Sequence, residues 1–102
     1  VHDFRIKFSA VSNHPLGPDA GRRLAEALAT MPGAGEVEGA SQDRPMRRVT
    51  ATFWIKVRLG MADAARDGSR LAKEALKASG MGEAQLVELN VSRRDRITGR
   101  PA

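Results

Sequence analysis

The sequence predicts a single α+β domain of four strands and two helices in the order β-α-β-β-α-β. Three observations carry this. From Arg47 to Leu59 the chain alternates strictly: Val49, Ala51, Phe53, Ile55, Val57 and Leu59 fall on one side. Arg48, Thr50, Thr52, Trp54, Lys56 and Arg58 fall on the other, which is the pattern of a strand with one buried face. Two further segments, 18–30 and 61–79, space their apolar residues at the helical period. Glycine and proline punctuate the joins between elements.

Composition bounds what such a domain can do. At 102 residues there is room for one core, and 41% hydrophobic with 28% charged residues fits a folded globule better than a disordered chain. No cysteine is present, which excludes a disulfide, a thiolate nucleophile and a cysteine-bearing zinc site. No uninterrupted apolar run exceeds three residues, as in Phe53-Trp54-Ile55, far short of a membrane span. The first thirty residues carry no signal-peptide apolar segment, so the expected location is cytoplasmic. A net charge of +5 favours anionic partners. Arginine-rich, alanine- and glycine-rich usage is equally what a high-GC genome produces, so charge alone assigns no partner.

In chain order, 3–10 reads as the first strand, with Phe4, Ile6 and Phe8 inward and Arg5 and Lys7 outward. The loop 12–18 leads to Pro18, suited to the first position of a helix over 18–30, with Asp19 beside it. Ala20, Leu24, Ala27, Leu28 and Met31 form the stripe of that helix, and Pro32-Gly33 stops it. Residues 36–40 are a short, weak strand suited to a sheet edge. Asp43-Arg44-Pro45 turns the chain into the long strand, making the pair a hairpin. The helix 61–79 has an apolar stripe made mostly of alanine and glycine, so it should lie close on the sheet, and Gly80 ends it. The last strand is 84–92, with Val87, Leu89 and Val91 inward and Leu86, Glu88 and Asn90 outward. Residues 93–102 form a basic tail bearing Arg93, Arg94, Arg96 and Arg100.

This order is the split-βαβ or ferredoxin-like pattern: a four-stranded antiparallel sheet, strand order 4-1-3-2, with both helices on one face. The other face is then open. Its expected side chains are Arg5 and Lys7 from the first strand, Thr50, Thr52, Trp54, Lys56 and Arg58 from the third, and Leu86 from the last. Trp54 with Leu86 would make an anchor, and Arg5, Lys7, Lys56 and Arg58 would orient an acidic or phosphate-bearing partner. The expected role is a non-catalytic binding or assembly module, working as a homo-oligomer, a dimer first, or docking another protein through the open face or a sheet edge. Like charges at Arg5, Lys7 and Lys56 oppose face-to-face pairing of two copies. Glu88, Glu36 and Glu38 could compensate across a two-fold axis, and pairing along an edge avoids the problem.

The rival partner is single-stranded nucleic acid. RNA-recognition modules of similar topology stack bases on aromatics of the same two central strands. Here 48–55 lacks the glycines of their third-strand pattern, and Trp54 is the one outward ring. Acylphosphatases are similar in topology and size, but the loop 11–17 has no arginine to cradle phosphate. A cofactor-free ferredoxin-like enzyme, a third option, would use Asn13, His14 and Trp54. No cofactor and no metal site is expected: His2 and His14 have no ligand partner at helical spacing.

Overall fold

The structure, a computed structural model, describes residues 2–43 and 47–93. Its elements are β1 (His2–Val11), α1 (Ala20–Ala29), β2 (Val37–Gln42), β3 (Arg48–Val57), α2 (Met61–Ala78) and β4 (Gln85–Arg93). The strands form one antiparallel sheet in the order β2-β3-β1-β4, with β1 and β3 central. This is the ferredoxin-like fold that the alternation and helical stripes predict.

The core follows from the two periodicities. Phe4, Ile6, Phe8 and Ala10 of β1 and Val49, Ala51, Phe53, Ile55 and Val57 of β3 are all buried beneath the helices. Phe8 and Phe53 meet edge to face, ring centroids 6.1 Å apart, a favoured aromatic geometry. From α1 come Ala20, Leu24 and Leu28, and from α2 come Ala64, Leu71, Ala72, Ala75 and Leu76. The small-residue stripe of α2 does bring it close. A Cβ at Gly68 would sit 2.9 Å from Ile6 Cδ1, so the helix rests on that isoleucine.

The helix ends show local and tertiary capping side by side. Gly80 (φ 84°) closes α2: its N–H reaches the Lys77 carbonyl, and the Met81 N–H reaches that of Leu76, a glycine C-terminal motif. At the other helix, α1 begins at Ala20 instead of Pro18, and the Asp19 side chain caps nothing. Gln42 of β2 does that work: its Oε1 accepts from the Gly21 N–H and its Nε2 donates to the Gly17 carbonyl, both at 2.8 Å.

Three strand assignments need correction. The long strand stops at Val57, so Leu59, expected inward, is 72% exposed in the turn to α2. Arg93 belongs to β4, opposite Phe4, and is not part of the tail. Most consequentially, β4 does not alternate throughout. Its register with β1 slips between Ser9 and Ala10: Glu88 lies opposite Ser9, yet Leu86 lies opposite Ala10. Val87 is the extra residue of a bulge. The bulge turns Leu86 to the helix side, where it packs partly buried against the core, and leaves Val87 54% exposed. The expected places of Leu86 and Val87 are thus exchanged. Among the described residues no helix is long and apolar enough to cross a membrane.

Candidate functional site

The face of the sheet away from the helices is covered by no other element among the described residues. Register arranges its side chains in rows. Asp3 faces Lys56; Ser92, Arg5 and Trp54 form the next row; Asn90, Lys7, Thr52 and Gly39 the third; Glu88, Ser9, Thr50 and Ser41 the fourth. Trp54 therefore projects from a central strand onto the open side, as alternation predicts, and is partly buried there.

What holds the ring was not legible in the sequence. β2 carries its own bulge between Val37 and Gly39, where Gly39 adopts φ 152°, a backbone region costly for residues with a Cβ. The residue this frees is Glu38. Its Oε2 accepts the Trp54 indole N–H at 2.7 Å and the Arg5 Nε–H at 2.8 Å, while Oε1 accepts from Arg5 Nη2 at 3.0 Å. One carboxylate on the edge strand thus reaches over β3 to clamp an arginine on β1, with the tryptophan tied in between. The Arg5–Glu38 contact is a two-bond guanidinium–carboxylate fork. The hydrogen bond to Glu38 raises the Arg5 pKa above its ordinary value, with partial desolvation opposing it.

A second polar cluster lies at the far end of the face. Ser9 is 2% exposed, and its hydroxyl shares a 2.9 Å hydrogen bond with that of Thr50. Glu88 sits 3.5 Å from the Ser9 hydroxyl and 3.6 Å from Arg48 Nη2. Of the cations expected to orient a partner, Arg5 is therefore already paired. Among the described residues Lys7, Lys56 and Arg58 are exposed and form no ion pair. Thr52 lies between Trp54 and Thr50 on the same face, whereas Leu86 is on the other side of the sheet.

No family model matches this chain, and no curated protein is similar to it in sequence.

Among the described residues, two hollows bear on the choice of site. A cleft of about 460 Å³ runs beside Trp54, lined also by Asp3, residues 33–36, Ile55 and Lys56. Its floor is tight: the Gly35 N–H donates to the Trp54 carbonyl at 2.7 Å, and a Cβ at Gly35 would stand 3.1 Å from that oxygen. A larger groove of about 720 Å³ lies between the ends of α1 and α2 and contains no residue predicted for function. Volume is a poor guide here, since that groove is wide open and lacks a ring or any clustered chemistry.

Among the described residues no group of three or more His, Cys, Asp or Glu could hold a metal ion. His14 is exposed in the loop after β1, and His2 lies in β1, where its Nδ1 is 3.1 Å from Arg93 Nη2. Asn13 and His14 follow β1 at its Val11 end, whereas Trp54 pairs with Arg5 nearer the His2 end. The enzyme-like trio is not assembled. Arg94, Arg96 and Arg100 of the tail, and the Arg44-Pro45 turn, lie outside the described residues.

Proposed function

We propose that this chain is a small non-catalytic binding module that docks another protein on its open sheet face, with Trp54 as the anchor. The observation that carries this reading is the clamp: a partly buried ring, fixed by Glu38 and through it by Arg5, on the side of the sheet that no other element covers among the described residues. An aromatic side chain immobilised before binding loses little conformational entropy when a partner covers it.

The charge on the face supports a protein partner over a nucleic acid. Arg5, Lys7, Arg48 and Lys56 are offset on the sheet by Asp3, Glu38 and Glu88, with two cations in ion pairs. Such a surface has little field to attract phosphates. A carboxylate bonded to the indole edge opposes a backbone running alongside a stacked base. Among the described residues Lys7 and Lys56, exposed on either side of the Trp54 row, and Arg58, exposed just past the end of β3, are the cations left to meet acidic groups of the partner.

A photo-crosslinking amino acid at Thr52, in cells that make the protein, tests this. The expected result is a discrete protein adduct that is lost when Trp54→Ala is added and is absent when the probe stands at Lys73 on α2. Equal adducts from both positions, or nucleic acid as the product at Thr52, would overturn the proposal.

A further inference from the structure

We infer that the free edge of β4 is a homodimer interface, pairing antiparallel with β4 of a second copy about a two-fold axis through Asn90. This goes beyond docking at Trp54 and does not depend on it.

The two edges of the sheet are unequal. β2 is six residues long and broken by a bulge at Glu38, with Gly39 at positive φ; such an edge resists pairing. β4 is nine residues long, and beyond its own bulge Glu88 to Arg93 run in regular register with β1. That stretch contains no proline and no lysine, the residues by which edge strands are usually protected. Its outer N–H and C=O groups have no strand partner among the described residues. Burial is also unfinished along it. The inward apolar residues of β1 and β3 are at most 5% exposed, whereas Leu86, Leu89 and Val91, inward on β4, are only partly buried.

The register follows from the side chains, because residues opposite each other in a ladder share a face. A two-fold axis at Asn90 sets Leu89 against Val91 twice on the helix side. On the open side Asn90 meets its own copy, and Glu88 meets Ser92. From Glu88 to Ser92 apolar residues cover apolar ones and no like charges stand opposite each other; Arg93 falls against the exposed Val87 at the bulge, where the regular ladder ends. Centring on Leu89 would oppose Val91 to Val87, which the bulge displaces; centring on Val91 would put Arg93 against Leu89. Lys7 of each copy stays about 14 Å from its mate, three interstrand spacings, beyond the screening length of about 8 Å.

The product is one continuous eight-stranded sheet with all four helices on one side. Both Trp54 faces then look the same way, about 28 Å apart, five interstrand spacings across the sheet and four residues along it, so that a partner with two matching sites could bridge them.

Sedimentation of the full chain is expected to give a dimer with a Kd between about 1 μM and 1 mM. Asn90→Lys, an exposed position, should return the monomer with an unchanged circular dichroism spectrum. Asn90→Cys, the sole cysteine of that variant, should oxidise to a covalent dimer, because opposed residues of an antiparallel pair lie about 4.5–5.5 Å apart at Cα; Lys73→Cys should not. A wild-type chain that stays monomeric to about 1 mM overturns the inference. So does a dimer that survives Asn90→Lys and does not cross-link through Asn90→Cys. A dimer dissolved by Trp54→Ala but indifferent to Asn90→Lys would put the second copy on the open face and also overturn it.

Discussion

At the scale of single residues, Glu38 does more than its position on a weak edge strand suggests. It satisfies the one polar atom of the indole, neutralises Arg5, and joins β2 to β1 across β3. Both members of the ion pair are about a third or more exposed, so screening keeps its energetic value small. Glu38→Ala should lower stability by about 1 kcal/mol. The larger effect should be on the ring. Trp54 is the sole tryptophan, so its emission reports on this site alone. In Glu38→Ala the acrylamide quenching constant should rise and the emission should shift to the red. An unchanged quenching constant would show that packing alone holds the indole. Raised in the fold, the Arg5 pKa contributes stability that is fully present at neutral pH. That contribution is lost only as pH climbs through the strongly alkaline range, so the arginine side of the clamp is indifferent to physiological acidification.

At the scale of elements, two contacts decide how the helices sit. Gly68 lets α2 approach β1, with Ile6 filling the space where a Cβ would be. Gly68→Ala gains about 1 kcal/mol of helix propensity but overpacks the core at a cost of about 1–3 kcal/mol. A net loss of about 1 kcal/mol is therefore expected in urea denaturation, and Gly68→Val should lose more. A gain in stability for the alanine variant would mean that the helix can lift without penalty. Gln42 is the matching contact for α1, because it supplies from β2 the acceptor that Asp19 does not provide. Gln42→Leu should cost about 1–2 kcal/mol, read as a lower midpoint in the same titration. The bulges belong to this scale too: one frees Glu38 to reach Trp54 and Arg5, the other turns Leu86 into the core.

At the scale of the whole molecule, charge is distributed unevenly between the folded body and the rest. Of the seventeen Lys and Arg, thirteen lie in the described residues beside eleven of the twelve Asp and Glu, leaving +2 of the overall +5 there. Much of the body's charge is neutralised in helix pairs, such as Arg22 with Asp19 and Glu26, Arg66 with Asp63, and Arg70 with Glu74. A basic isoelectric point thus says little about the open face. Mixed-sequence oligonucleotides should quench Trp54 with a Kd weaker than about 0.1 mM at physiological salt. Saturable quenching in the micromolar range would restore the single-strand reading.

The sequence by itself determined the element order, the strand order and the direction in which Trp54 points. Each follows from a period, two for strands and 3.6 for helices, together with Gly and Pro at the joins, and those signals are local. Phe4, Phe8 and Phe53 fell inward and Lys7 and Lys56 outward on that basis alone. Only the tertiary structure decided the partners. An extra residue in a strand leaves no mark in a composition window, yet it reverses every side chain on one side of it, as Leu86 and Val87 show. Glu38, sixteen residues before Trp54 and thirty-three after Arg5, meets both because antiparallel pairing brings three strands side by side. Periodicity fixes which way a side chain faces; register, set by how the strands pair over the whole sheet, fixes what it faces.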